Sequence, residues 1–127
     1  MSRFLLVTGA LMCAVAVTAG AFGAHALASR LDARSLELWE TASRYFIYAG
    51  FGTLVAAQLA GQWSGHSGGN AASWAGGLLI VGGLIFAGAV GGLALGAPRI
   101  LGAVAPIGGS AMIAGFLALA YAGWTSG

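Results

Sequence analysis

The longest uncharged stretch of the sequence most limits the folds open to this chain. Phe4 to Ala26 are 23 consecutive residues without a formal charge. As an α-helix this stretch would be about 34 Å long, enough to cross a hydrocarbon core of roughly 30 Å. Only 6% of the 127 residues are charged, against roughly 25% in soluble domains. We therefore expect lipid to surround most of the protein, as one membrane domain over residues 1–127.

The start of the chain also shares features with a signal peptide. Arg3 precedes the apolar run, and residues 19–21 are small, as at a cleavage site. However, the run continues past that point to Ala26, which makes it long enough to span a bilayer. We therefore predict an uncleaved membrane helix.

Three further helices follow from hydrophobic periodicity and loop composition. The four predicted helices cover residues 4–26, 33–62, 74–95 and 107–124. Residues 33–44 form an amphipathic start to the second helix, because their charges recur every three or four positions on one face. Residues 61–73 are rich in Gly and Ser and predict a polar loop, and Pro106 suits the first turn of the last helix. The fold class is an all-α transmembrane four-helix bundle with an amphipathic interfacial segment between helices 1 and 2.

Glycine is unusually frequent, at 23 of 127 residues. In lipid, small residues let helix backbones approach closely, and such packing replaces the hydrophobic effect between helices. A stripe of small residues at four-residue spacing marks the last two helices. The residues predicted to pack against other helices are Gly88, Gly92, Gly96, Ala111 and Gly115. A nucleotide-binding glycine motif would need a preceding strand, which is not expected here.

Most of the polar chemistry lies near the ends of the predicted spans. We predict an interfacial polar network of His25, Asp32, Glu37, Glu40, Arg44 and Arg99. Asp32 is a good N-cap for the second helix, and Glu40 precedes Arg44 at the favourable i,i+4 spacing. Arg99 either reaches for lipid headgroups or pairs with a carboxylate of the amphipathic segment.

Three hypotheses fit His25. In the first, His25 has a structural role: its imidazole hydrogen-bonds to a carboxylate of the 30–44 segment and holds the first helix to that segment. In the second it handles a proton or a small solute, since imidazole titrates near pH 6.5. In the third it is a weak candidate ligand for a pigment, heme or metal in a larger assembly, although one histidine alone makes a poor ligand set.

The remaining residues argue against most other activities. Cys13 is the single cysteine, so neither an intrachain disulfide nor a CxxC site is available, and His66 is expected to be a solvated loop residue. The sequence has no HExxH motif and no paired carboxylates within a predicted span. We therefore predict no enzyme, no catalytic residues, no metal site and no cofactor. A net charge of +2 is too small to indicate nucleic acid binding.

The arginines predict an orientation. With four helices, both termini and the 61–73 loop share one side, which has only Arg3, while the other side has Arg30, Arg34, Arg44 and Arg99. Because basic residues near helix ends favour the cytoplasm, segments 27–44 and 96–106 should be cytoplasmic and both termini outside.

Two motifs carry a resemblance over nearly the whole chain. GAFGAHAL at 20–27 and LGAVAPIGG at 101–109, with LWETASRY between them, resemble the YgdD/YwdK-like family of small four-helix inner-membrane proteins, whose domain has no known function. The resemblance implies this fold and a bacterial inner-membrane location. That family commonly has a histidine early in the second helix, where this chain has Ala49, so a two-histidine heme or metal site is not implied here.

These features favour a structural or accessory membrane protein. Its partners would be the lipid bilayer and either further copies of the chain or a larger membrane complex, contacted through Gly/Ala faces. The alternative is a small transporter or channel with His25 as a proton-responsive group. Such a path needs polar groups or broken helices at membrane depth.

Overall fold

The computed structural model describes residues 2–126, nearly all of them helical. The four helices are α1 (Ser2–His25), α2 (Ala33–Gln62), α3 (Ser67–Ala94) and α4 (Leu101–Ser126). One turn of 3-10 helix, Leu27–Ser29, precedes α2. The observed bounds of α2 match the prediction, and the amphipathic segment is the first part of this continuous helix.

The helices are arranged in chain order, each packed against the next. The α2–α3 pair is central, with α1 lying along α2 and α4 lying along α3. Contacts between α1 and α3 and between α2 and α4 are slight, and α1 does not pack extensively against α4 within the described residues. The all-α bundle is therefore confirmed, but it is open: two grooves run along it, one between α1 and α3 and one between α2 and α4.

The part of α2 that lies at membrane depth can be identified from its contacts with α1. Helices α1, α3 and α4 are long and apolar enough to cross a bilayer, whereas α2 has a charged start and does not meet the same limit. Gly23 near the end of α1 adjoins Trp39, and Ser2 at its beginning adjoins Gly61. The part of α2 from Trp39 to Gly61 therefore extends alongside almost all of α1.

The third helix begins earlier than predicted. It starts at Ser67 rather than at residue 74, so the predicted 61–73 loop is reduced to a tight turn in which Gly65 has a φ of +88°. Two glycines expected to favour a loop are instead buried in the first turn of α3. Gly68 packs against Ser126 at the end of α4, and Gly69 packs against the backbone of Trp63. Close approach of backbones at these two positions outweighs the low helix propensity of glycine.

The fourth helix also begins earlier, at Leu101 rather than at residue 107. The carbonyls of residues 98–100 accept hydrogen bonds from the N–H groups of residues 101–103, at 2.9–3.1 Å. The chain is thus already turning helically before Pro106. This proline lies inside α4, where it removes one backbone donor.

The core is thin and built mainly of small residues. Among residues 2–126, the largest fully buried side chains are Leu5, Leu79 and Thr53. Large apolar side chains point outward instead, for example Leu11 on α1 and Leu117 on α4. This distribution suits a chain surrounded by hydrocarbon, where close backbone packing holds helices together.

Candidate packing surfaces and the arginine-rich end

A close backbone contact joins α3 to α4 through two glycines. A Cβ built on Gly82 would lie 2.7 Å from the carbonyl oxygen of Gly108, and one built on Gly108 would collide with the backbone nitrogen of Phe86. About two turns further along α4, Gly115 is buried against Leu79 of α3. A Cβ built on Gly115 would lie 2.8 Å from Leu79 Cγ. At Gly82 and Gly108 the nearest atoms belong to the backbone of the other helix, and such atoms cannot move aside individually.

A second glycine contact joins α1 to α2. A Cβ built on Gly9 would lie 3.1 Å from the carbonyl oxygen of Gly50, and one built on Gly50 would lie 2.7 Å from Cys13 Sγ. Both glycines are buried. Cys13 is thus a small packing residue at this crossing.

The predicted stripe on α3 does not act as one packing face. Gly88 is exposed, and a Cβ built on it would have no atom within 4 Å, so within residues 2–126 it meets no other helix. Gly92 adjoins Leu101, the first residue of α4, whereas Gly96 lies in the turn between α3 and α4 with a φ of +94°. Ala111 is half-buried. Regular spacing in the sequence did not identify the side of α3 that meets α4.

Gly88 instead lines an open groove between α1 and α3, which we call the α1–α3 groove. Its volume is about 240 Å³, and nearly all of its lining is apolar. Its small lining residues are Ala16, Ala19, Ala42, Ser43, Ala87, Gly88 and Gly91. Val15 and Leu84, both half-exposed or more, also line it. Trp39 and Phe46 line it as well, so the groove presents an apolar surface in which small side chains predominate.

The fold gathers four arginines at one end. The segment around α2's start and the α3–α4 turn are brought together there, since Ala42 packs with Ala89, Val90 and Ala105. The termini lie at the other end, where Gly68 meets Ser126. The structure thus separates one group of arginines (Arg30, Arg34, Arg44 and Arg99) from Arg3, as the sequence predicted from helix count alone.

Within residues 2–126, no side-chain hydrogen bond joins one member of the predicted polar network to another. His25, Asp32, Glu37, Glu40, Arg44 and Arg99 are all exposed. Among the side-chain hydrogen bonds of residues 2–126, the one that involves a charged group is Asp32 Oδ1 accepting from the backbone N–H of Ser35, at 2.8 Å. That bond confirms the N-cap prediction. It is also the main reason why the pKa of the Asp32 carboxyl lies below its usual value.

His25 does not hold α1 to α2; Trp39 does. The indole Nε1 of Trp39 donates to the carbonyl oxygen of Ala19 on α1, at 2.7 Å. The indole lies over Gly23, where a built Cβ would be 2.6 Å from Trp39 Cδ1. The sequence did not predict this contact, for which Gly23 in the GAFGAHAL motif was the available signal. His25 is the exposed last residue of α1.

No set of residues in the described part of the chain suits a metal ion. Within residues 2–126, no three His, Cys, Asp or Glu side chains come together. His66 is exposed at the N-cap of α3 without a capping side-chain bond. The resembled family commonly has a histidine where this chain has Ala49. Ala49 is fully buried, and a Cβ built on Gly83 of α3 would lie 2.8 Å from the Cβ of Ala49. An imidazole would not fit at that position without separating α2 from α3.

Comparison with known proteins identifies relatives of this architecture. Residues 19–109 match the family described as "Protein of unknown function (DUF423)". The chain belongs to the DUF423 family. This finding confirms the resemblance seen in the sequence, and the matched segment contains Trp39, Gly82 and Gly108.

Relatives of this DUF423 protein cover nearly its whole length. It is 41% identical over 120 residues to the UPF0382 membrane protein SERP0230 of Staphylococcus epidermidis, which covers 94% of each chain. It is 39% identical over 117 residues to the UPF0382 membrane protein SH2409 of Staphylococcus haemolyticus, 92% of each. With the UPF0382 membrane protein YwdK of Bacillus subtilis it shares 33% identity over 120 residues, 94% of this chain and 95% of that one. No solved structure matches the chain.

Together these findings establish a bacterial membrane protein of the DUF423 family. The relatives are named as membrane proteins, and three helices of this chain are apolar enough to span. The family description assigns no reaction.

Proposed function

We propose that this DUF423 protein is a structural or accessory subunit of the bacterial inner membrane, which packs through Gly/Ala surfaces against a transmembrane helix of another chain. The observation that carries the proposal is the α1–α3 groove. Most buried glycines meet a neighbouring helix within the chain, whereas Gly88 lines an open surface and meets none. Small residues that let a backbone approach are the usual composition of helix interfaces in lipid.

The proposed orientation places the arginine-rich end in the cytoplasm. Four arginines lie at that end and one at the other, and basic residues are retained on the cytoplasmic side. Both termini are then outside. A reporter that is active only in the cytoplasm should therefore be inactive when fused to the C-terminus and active when inserted after Pro98, and the reverse pattern would refute this orientation.

The interior supports an accessory role over the transport alternative. Among residues 2–126, Thr53 is the one buried polar residue, and its hydroxyl donates to the carbonyl oxygen of Ala49 at 2.7 Å. A polar path through the bundle would need groups that are not already satisfied within their own helix. His25 lies outside the bundle interior, at its exposed end.

A pair of matched variants tests the packing proposal. Gly88→Leu would fill the α1–α3 groove, whereas Gly77→Leu adds the same side chain to the same helix where a built Cβ also meets nothing within 4 Å, outside the groove. Tagged chains are extracted from native membranes in mild detergent and their complexes weighed by native mass spectrometry. We expect a complex that survives Gly77→Leu and is lost with Gly88→Leu. A wild-type chain that remains a monomer in detergent and in nanodiscs would refute the proposal.

A further inference from the structure

A cavity with a partly polar lining lies at the end of the bundle opposite the arginine-rich end. It is formed between the beginning of α1 and the last part of α2, and its volume is about 640 Å³. The two helices come close here because Gly61 has no side chain; a Cβ built on it would lie 3.6 Å from Ser2 Oγ. We call this cavity the Arg3 pocket. Its polar lining residues are Ser2, Arg3, Gln58 and Gln62, and its apolar ones include Leu6 and Leu54.

The guanidinium of Arg3 has no acidic side chain within reach. The three acidic residues of the chain lie at the beginning of α2. Glu40, the last of them, precedes Gln58 by 18 residues, which is about 27 Å of helix. Within residues 2–126, Arg3 takes part in no side-chain hydrogen bond. Its charge is therefore available to an anion from outside the chain.

Gln58 places a second polar group about one turn deeper, where α1 is already apolar. Ser2 adjoins Gly61 and Gly9 adjoins Leu54, so the antiparallel helices bring Gln58 level with the first apolar residues of α1. The side chain of Gln58 is exposed, and within residues 2–126 its amide makes no hydrogen bond to another side chain or to the backbone. A polar group at this depth costs free energy unless it finds a polar partner. The ester groups of phospholipids lie at this boundary and can be that partner.

We propose that the Arg3 pocket binds one anionic phospholipid of the phosphatidylglycerol class, with its phosphate at Arg3, an ester carbonyl at Gln58 and an acyl chain along Leu6 and Leu54. The guanidinium can donate two N–H groups to a phosphate, and the amide NH₂ of Gln58 can donate to a carbonyl. No carboxylate lines the pocket, so the ammonium group of a zwitterionic headgroup would find no opposite charge. A glycerol headgroup needs none and can hydrogen-bond to the amide of Gln62. This binding role is independent of the packing role proposed for the α1–α3 groove.

Binding is tested on the full chain in a non-ionic detergent, with dioleoyl phosphatidylglycerol as the probe. Native mass spectrometry counts bound lipid per chain over a titration. We expect one tightly bound lipid per chain for the wild type. Arg3→Gln removes charge-assisted hydrogen bonds and should weaken this binding at least about tenfold, and Gln58→Leu, which removes one neutral hydrogen bond, about fivefold. Dioleoyl phosphatidylethanolamine, which has the same acyl chains, should bind the wild type more weakly.

Controls separate the proposal from general attraction between arginine and anionic lipid. Arg99→Gln makes the same change at the other end of the bundle and should leave the tightly bound lipid in place. Arg3 and Gln58 are both exposed, so their variants should keep the melting temperature of the wild type. Unchanged binding in Arg3→Gln, or an equal loss in Arg99→Gln, would overturn the proposal. Equally tight binding of phosphatidylethanolamine would also overturn it. Displacement of the lipid by an equal concentration of glycerophosphoglycerol, which lacks acyl chains, would show a site for a soluble anion instead and would overturn it as well.

Discussion

Replacing Gly108 with alanine would test directly whether backbone contact joins α3 to α4. In the structure, a Cβ at position 108 would collide with the backbone nitrogen of Phe86 and lie 2.8 Å from the carbonyl oxygen of Gly82. Both groups belong to the backbone of α3, so neither can rotate away as a side chain would. The helices must therefore separate by a few tenths of an ångström or more along this crossing.

The expected magnitude is a balance of two effects. Alanine stabilises a helix interior by about 0.8–1 kcal/mol relative to glycine, whereas overpacking a closely packed contact costs about 1–3 kcal/mol. Gly77→Ala is the matched control, since it lies within α3 and a Cβ there would meet nothing within 4 Å. The control should be more stable than the wild type, and Gly108→Ala should be less stable than the control by about 1–3 kcal/mol.

The assay is reversible unfolding of the purified chain in mixed micelles with increasing sodium dodecyl sulfate, followed by circular dichroism. The two alanine variants are compared under the same conditions, so that the helix-propensity gain appears in both and cancels. If Gly108→Ala proves as stable as Gly77→Ala, α3 and α4 do not approach through Gly82 and Gly108, and the packing described above is refuted.

Two further predictions concern the arginine-rich end. Trp39→Phe removes the hydrogen bond to the Ala19 carbonyl and should lower the free energy of unfolding by about 0.5–1.5 kcal/mol. The control is Trp74→Phe, at a side chain that is 74% exposed, which should change the free energy of unfolding by less than about 0.5 kcal/mol. Equal effects of the two substitutions would contradict the Trp39 contact. Asp32→Ala removes the N-cap. Because the bond from Ser35 lowers the folded pKa of Asp32, its stabilisation is complete above the ordinary carboxyl pKa and is lost as pH falls through the folded value. The melting temperature of Asp32→Ala should therefore lie below that of the wild type at neutral pH, with a gap that closes in acid; a gap that stays constant down to about pH 2 would rule this out.

Local signals predicted the parts of the fold that depend on neighbouring residues in the chain. The bounds of α2 and its Asp32 cap were predicted, because charge periodicity and a capping carboxylate act within one or two turns. The starts of α3 and α4 were not. At Gly68 the helix is favoured by contact with Ser126, which is remote in the sequence, and no window of local residues reports such a contact.

The predicted packing residues also divide into those that meet another helix of the chain and those that do not. Gly115 was predicted as a packing residue and is buried against Leu79, whereas Gly88 was predicted to pack and faces an open groove. With 23 glycines, several helix faces carry equally good small-residue spacing. Which face meets a neighbour depends on how each helix is rotated about its axis, and that rotation is set by the packing of all four helices.

What the sequence alone determined is the solvent and the class of fold. With so few charges and such long apolar runs, the chain must satisfy its backbone within helices and place them in lipid, and the arginines mark one end of the bundle. Only the tertiary structure decided that Trp39 rather than His25 joins α1 to α2, that Gly82 and Gly108 join α3 to α4, and that two grooves stay open. Those outcomes depend on contacts at a few ångströms between residues 20 or more apart in the chain, which composition and periodicity do not encode.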